Sequence, residues 1–448
     1  MIRAYNIAVA ATLLLALPLL LPYIVLSAKR RRVFLRRLAL VRPSIGFRAG
    51  SPTGKPLWVH GLSVGEVLAG VPLVHALASQ YPHRPIVFSA STLGGYEMAR
   101  QKLGDATAAV FFFPYDLPLA VRRMAAWIAP GVVIIVETDI WPNFLSEMQR
   151  REVPVILANA KLSNRSFAGY RRVAAFSTPL FAMVTRICCQ TREDATRFKR
   201  LGVTDDRIEV TGNIKFDQSE DPPETEEIAS LRTALKSEKR RPVWVAGSTH
   251  EGEETIIRRA FALVKKDHPD LQLIVTPRDP SRAGAVVRLF NAAGFGTVAL
   301  SALSGSTPTP LGRIDVVVID ILGILKNLYA LADVALVGGS LLQIRGIGGH
   351  NPLEPAALGK PVQFGPNMKN FKEIETLLLE AGGAVQVTDA RSIANSLREL
   401  LVNHELAQHM GRNAHAVFKA HKGAVQNTLK AAAALIDPDK TTLDPWYR

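Results

Sequence analysis

Cysteine is almost missing from this chain of 448 residues: only Cys188 and Cys189 occur, side by side. Neighbours in sequence make a poor structural disulfide and no metal-ligand set, which points to a reducing compartment. No zinc-finger spacing, RNP signature or basic stripe interleaved with aromatics is found, which excludes the usual nucleic-acid binders. No G-x-G-x-x-G follows a strand in proper context, which speaks against a Rossmann dehydrogenase. Short repeats, heptads and a low-complexity tail are also lacking. Hydrophobic content of 48% with 28 prolines spread along the chain reads as globular.

The length accommodates more than one core, so two domains are expected. One long apolar run exists, from Ile7 to Ala28, and it carries no charge. At about 1.5 Å per residue it is long enough for a hydrocarbon core of ~30 Å. Only Arg3 precedes it, while Lys29, Arg30, Arg31, Arg32, Arg36 and Arg37 follow. A cleaved signal peptide shows the opposite charge order. The asymmetry predicts a single N-terminal anchor in the inner (plasma) membrane, with the catalytic body on the cytoplasmic face. Pro18 and Pro22 weaken that helix, so a monotopic or tilted insertion is a second reading. Net charge is +15, from 54 basic against 39 acidic residues. With the basic cluster abutting the anchor, an anionic membrane surface is the economical partner, at roughly 1 kcal/mol per residue.

From about residue 55 onward, short Val/Ile/Leu runs alternate with longer mixed segments. The runs are Leu57–His60, Ile86–Ala90, Val132–Val136, Val153–Ala158 and Ile187–Gln190, then Val243–Ala246, Leu271–Val275, Val316–Ile319, Val334–Val337 and Val362–Phe364. Such runs suit strands covered on both faces, which is the α/β pattern with parallel sheets. Between the two sets, FDQSEDPPETEE from Phe216 to Glu227 reads as an exposed linker. Ser301 to Pro310 reads as a surface loop. Two α/β halves about a linker predict a ligand cleft at the carboxyl ends of strands.

Several strand ends carry chemistry. Ser63-Val64-Gly65-Glu66 follows the first strand; it is either a capping box or a carboxylate placed as a general base. Glu137 follows VVIIV, where a buried acid must be hydrogen-bonded, paired or functional; a helix cap begun by Pro142 is the alternative. Lys215, beside the linker, is either solvated or able to hold a negative leaving group. Arg278, after Pro277 and the strand LQLIVT, has the planar fork that suits phosphate or carboxylate, or an ordinary surface ion pair. Finally, Val337-Gly338-Gly339-Ser340 through Gly348-Gly349-His350-Asn351-Pro352-Leu353-Glu354-Pro355 reads as strand, glycine-rich turn and helix. Asn351 is placed as N-cap and Pro352 in the first turn, so the helix start is either a phosphate seat or simply well capped.

In order, WVHGLSVGEV, ETDIWPN, ANAKLSNRS, GNIKFD, GSTHEGEE, PRDPSR, GGS, GGHNPLEPAALGKPVQFGP and NF resemble the Kdo transferases of lipopolysaccharide synthesis. These enzymes transfer 3-deoxy-D-manno-octulosonic acid (Kdo) from CMP-Kdo to a lipid A precursor. The resemblance covers about residues 45 to 420. It implies an inverting glycosyltransferase with a GT-B fold: two Rossmann-like domains and an interdomain cleft, the acceptor site in the first and CMP-Kdo in the second. Expected boundaries are 1–45 for the anchor and basic segment, 46–215 for the acceptor domain, 216–240 for the linker, 241–415 for the donor domain and 416–448 for a C-terminal helix and tail. By the resemblance, Glu66 matches the catalytic base, and Glu137 and Lys215 match transition-state stabilisers. Pro277, Arg278, the turn Leu322-Gly323-Ile324, and Asn351, Pro352, Leu353 and Glu354 match CMP-binding positions. No metal or cofactor beyond the donor is implied. Two departures stand out. Ile324 replaces a charged residue, which rules out a polar side-chain contact there, and Leu342 to Ile347 makes a longer link than usual. A GT-B enzyme using another nucleotide sugar is therefore the alternative.

Overall fold

The computed structural model describes residues 1–46, 54–217, 228, 231, 241–303 and 314–437. The chain divides into two compact units, Met1–Gln218 with Lys422–Arg448, and Ser219–His421. The first contains strands β1 (Leu57–Gly61), β2 (Ile86–Ala90), β3 (Ala109–Phe112), β4 (Val132–Val136), β5 (Val155–Ala160), β6 (Arg186–Cys189) and β7 (Ile208–Val210). They form one sheet in the order β3-β2-β1-β4-β5-β6-β7. Every pairing is parallel. The second contains β8 (Val243–Thr249), β9 (Gln272–Pro277), β10 (Thr297–Ala299), β11 (Val316–Val318), β12 (Val334–Val337), β13 (Val362–Phe364) and β14 (Ala384–Gln386). Their order is β10-β11-β9-β8-β12-β13-β14, again parallel throughout.

β2, β4, β12 and β13 coincide residue for residue with the expected apolar runs. The four strands that no run announced, β3, β7, β10 and β14, are the four sheet edges. An edge strand is not covered on all sides, so it needs no continuous apolar run. β7 and β10 accordingly contain no fully buried residue. In the centre the reverse holds: β1, β4 and β8 are buried end to end. Trp58 on β1 packs edge-on against Phe144 at 5.1 Å, with Phe111 and Phe113 beside it.

The segment expected to be an exposed linker begins differently. Phe216 is fully buried and closes a short 3-10 turn, Ile214–Phe216. Residues 218–227 of that segment lie outside the described residues. Asp217 ties the last described helix to the first unit: its carboxylate accepts the N–H groups of Gly423 (2.6 Å) and Val425. Those are orphan donors at the start of the helix Ala424–Ile436, whose Val425, Leu429 and Ile436 complete the core that α3 (Val64–Gln80) lines. The expected loop at Ser301 to Pro310 starts as the end of a helical turn, Leu300–Leu303, and residues 304–310 lie outside the described ones.

At the amino terminus, α1 spans Ile2–Val25 and α2 spans Ala28–Arg37. Among the described residues no helix is long and apolar enough to cross a membrane, so the expected transmembrane anchor is not borne out. Asn6 near the start of α1 accepts from Asn143 at 2.8 Å, and Tyr5 meets Phe176. At the far end of α2, Arg37 donates to the carbonyls of Phe113 and Ser91 and lies over the Tyr115 ring. Both ends of the pair are therefore held by the same unit.

Replacing Asp217 by Ala should lower the stability of the first unit by about 1–2 kcal/mol, the cost of losing a charged helix cap. Urea unfolding of the wild-type chain and of Asp217→Ala measures this; an unchanged midpoint would show that the cap contributes nothing.

Candidate active site

β1 ends at Gly61, and the chain turns through Leu62 and Ser63 into α3. Glu66 stands in the first turn of that helix and folds back over it. Its Oε2 accepts the Leu62 N–H at 2.6 Å and its Oε1 accepts the Ser63 hydroxyl at 3.1 Å. The capping box is not formed: Ser63 is the N-cap by backbone, but its hydroxyl serves Glu66 instead of the helix. Burial pushes the Glu66 carboxyl above its ordinary value, and the charge of Glu137 adds to this. The Leu62 and Ser63 donors and Lys161 work in the opposite direction.

Glu137 follows the last residue of β4 with φ of 66°, in the left-handed region that only glycine enters freely. Such a backbone costs about 1–3 kcal/mol and persists only when its surroundings enforce it. Here the Glu137 N–H continues the ladder to Ala158 at 2.8 Å, while both carboxylate oxygens meet Lys161 Nζ, at 2.9 and 2.8 Å. Thr138 fixes the backbone of Lys161 by donating to its carbonyl and accepting its N–H. Asp139, two residues on, hydrogen-bonds Glu66. Burial, then the charges of Glu66 and Glu137, push Asp139 up to about 8. Lys161 and Asp139 escaped sequence reasoning. Each sits just past a buried strand, the signal that drew attention to Glu137, but neither ends an apolar run directly. Lys215 lies in the 3-10 turn after Asn213, whose Oδ1 accepts its N–H at 3.1 Å. Asn159, from β5, accepts the neighbouring Ile214 N–H at 3.0 Å and so fixes that turn.

In the second unit, Pro277 ends β9 and Arg278 is exposed immediately after it, its N–H held by the Thr249 carbonyl. Arg282 pairs with Glu254 at 2.8 Å, and Thr249 donates to the same carboxylate. His250 and His350 face each other with Nε2 atoms 2.8 Å apart and rings nearly parallel. One ring must therefore donate and the other accept. Burial, then His250 and Arg278, hold His350 down to about 4.

Three N–H groups of the glycine-rich turn are engaged within the fold. Those of Gly339, Ser340 and Leu341 all go to the buried carboxylate of Glu253, at 2.8, 3.0 and 2.9 Å, and the His250 N–H joins them. Gly338 is needed because a Cβ there would lie 2.6 Å from the Ser248 carbonyl oxygen. The helix also starts later than expected, at Leu353, with Pro352 as N-cap and only five residues. Asn351 precedes it, and its Oδ1 takes the Leu353 N–H at 3.1 Å. What this turn presents is a cluster of side chains. Glu354 is hydrogen-bonded by Asn351 and lies within reach of the charges of Lys326 and Arg278; burial still pushes its carboxyl up. Of the turn after β11, Leu322 is exposed and Gly323 has φ of 94°. Ile324 is buried against Leu328 and Tyr329, so its side chain serves the core.

The two parallel-sheet units match the fold of a crystallised UDP-N-acetylglucosamine 2-epimerase, with TM-score 0.56 over 87% of this chain and 97% of that one, at 16% identity. A family model described as 3-deoxy-D-manno-octulosonic-acid transferase (kdotransferase) matches residues 33–218. The 3-deoxy-D-manno-octulosonic acid transferase of Haemophilus influenzae is 33% identical over 93% of this chain and 95% of its own length. That of Bordetella pertussis is 34% identical over 86% and 89%. These relatives make the protein a glycosyltransferase. The chain belongs to the 3-deoxy-D-manno-octulosonic acid (Kdo) transferase family, and it is a Kdo-transferring enzyme.

His350 gives a signed pH dependence. Neutral in the fold down to about 4, it takes a proton near 6.5 once unfolded, so its contribution is present above pH 6.5 and is lost as pH falls toward 4. Stability should drop by about 2 kcal/mol more across this window in the wild-type chain than in His350→Asn. Denaturant midpoints at stepped pH read the difference; parallel curves would contradict it.

Proposed function

We propose that the enzyme transfers Kdo from CMP-Kdo to the glucosamine 6-hydroxyl of a lipid A precursor, with inversion and with Glu66 as general base. The observation that carries this reading is Glu66 itself: a carboxyl at a strand end, lifted by burial and held by two donors. A base needs a pKa near the working pH, and partial desolvation moves a glutamate in that direction. In the reaction, Glu66 takes the proton of the acceptor hydroxyl. The hydroxyl oxygen bonds to the anomeric carbon of Kdo, and the bond to the CMP phosphate breaks, its electron pair leaving with CMP. Attack from the face opposite CMP inverts the centre. Glu137 and Lys215 act as transition-state stabilisers, Glu137 with its charge fixed by Lys161.

The donor is assigned to the second unit. Arg278 and Lys326 supply positive charge beside Asn351 and Glu354, and Pro277, Leu322, Gly323, Pro352 and Leu353 shape the backbone around them. With Ile324 turned into the core, the contact at that turn is made by backbone.

For the acceptor, α2 and its neighbours enclose a cavity of about 280 Å³ whose lining includes Arg32, Val33, Arg36, Leu93, Tyr96 and Phe112. Guanidinium groups over apolar walls suit an acylated, phosphorylated lipid. The same elements support attachment to the cytoplasmic face of the inner membrane. Leu14, Leu15 and Leu26 are exposed, and the basic residues of α2 follow them, a pattern that favours lying in the lipid interface.

Glu66→Ala should reduce transfer by about 10²–10⁴-fold, the usual contribution of a positioned base, while CMP-Kdo binding persists. The enzyme is incubated with CMP-Kdo and lipid A precursor and the product weighed by mass spectrometry. Near-normal turnover in the variant would remove Glu66 from the mechanism. In thermal-shift titrations CMP should stabilise the enzyme more than UDP or GDP; preference for UDP or GDP would replace the donor.

A further inference from the structure

Glu66 and Asp139 are hydrogen-bond partners, and both are carboxyl groups. Two carboxylates cannot hydrogen-bond each other, because an ionised carboxylate has only acceptors to offer. One of the two must hold a proton. The surroundings decide which. Glu66 receives the Leu62 N–H and the Ser63 hydroxyl, two donors that favour its ionised form. Asp139 has a buried Oδ2 that receives no donor at all. The cation of the cluster, Lys161, is engaged by Glu137 on both oxygens. An ionised Asp139 would therefore stand beside two other negative charges with its buried Oδ2 matched by no donor.

We propose that Asp139 is the protonated member of a carboxyl–carboxylate pair, and that by donating its proton to Glu66 it holds that residue ionised and correctly aimed. Asp139 is thus a positioning residue for the base, and it keeps its proton while Glu66 takes the one from the acceptor hydroxyl. Its neutrality matters as much as its hydrogen bond. If the single proton of the pair sat on Glu66 instead, with Asp139 ionised, Glu66 could not act as a base. The direction of the Asp139 shift, upward through burial first and then through Glu66 and Glu137, agrees with this. Among the described residues, the titratable groups facing the pair are Glu137, Lys161 and Tyr170. Tyr170 is itself raised by burial and then by Asp139, so it stays neutral over the range in question.

The inference rests on Glu66 as base, and the test separates the two. Carboxyl carbons of Asp139 and Glu66 are followed by ¹³C NMR against pH in the wild-type chain, Glu66→Gln and Asp139→Asn. The pair should keep one proton through neutral pH and release it near 8, and in Glu66→Gln the Asp139 transition should fall by at least one pH unit. Asp139 ionising near 4 in the wild-type chain would overturn the proposal, whatever Glu66 does in catalysis. Transfer rates then test the role. Asp139→Asn, neutral and still a donor, should stay within about threefold of wild type at pH 7 and lose the change in rate near pH 8. Asp139→Ala should fall at least tenfold. If Asn and Ala variants lose activity equally at every pH, the proton on Asp139 has no part in positioning Glu66. Full activity in Glu66→Gln would instead refute the base itself, and the NMR result would stand apart from it.

Discussion

A carboxylate buried at the carboxyl end of a parallel strand must find donors or keep a proton, and both units of this enzyme are organised around that requirement. Taking such a charge out of water costs several kcal/mol unless it is matched. The two units meet the demand at equivalent places, the helix that follows a central strand. After β8, Glu253 is turned back on the chain and receives four backbone N–H groups, which lock the glycine-rich turn as a rigid piece. After β1, Glu66 is turned back in the same way but receives one N–H and one hydroxyl. The fully satisfied acid is structural. The partly satisfied one keeps a carboxyl lifted by burial, which is what the proposed base requires.

Around these acids the backbone takes up conformations that side-chain-bearing residues usually avoid. Glu137, Asn159 and Ser248 all have positive φ, and all lie at strand ends. Each also has a job that explains the strain. Glu137 aims a carboxylate at Lys161, and Asn159 turns its amide to the Ile214 N–H below Lys215. Ser248 passes its carbonyl close against Gly338. Strain of this sort persists where neighbouring elements over-determine the geometry, and it clusters at sites of function.

Much of the fold was legible along the chain because central parallel strands are covered on both faces. β2, β4, β12 and β13 could be read to the residue for that reason. The sheet edges β7, β10 and β14 could not, since half-covered strands need no uninterrupted apolar run; β3, also an edge, does carry one, AVFF, and was passed over. The site divides in the same way. Glu66 and Glu137 were visible because each stands next to a strand. Lys161, Asp139 and Glu253 were not, since their importance lies in partners 24, 73 and 86 or more positions away. The helix start expected at Asn351 lies further on: the helix begins at Leu353 with Pro352 as N-cap, and three N–H groups of the turn before it go to Glu253. The apolar amino terminus suggested a crossing helix, but among the described residues no helix is long and apolar enough for that, and side chains at Asn6 and Arg37 tie the ends of the helical pair to one unit.

The order of residues by itself determined the α/β class, the parallel central strands, the positions of the acids at strand ends and the family. These depend on local periodicity and on short motifs, which survive without knowledge of neighbours. Tertiary structure decided which charges meet, which acid receives a full set of donors and which does not, and where the sheets end. Those outcomes depend on desolvation and on distances across the sheet, and neither quantity exists until the chain is folded.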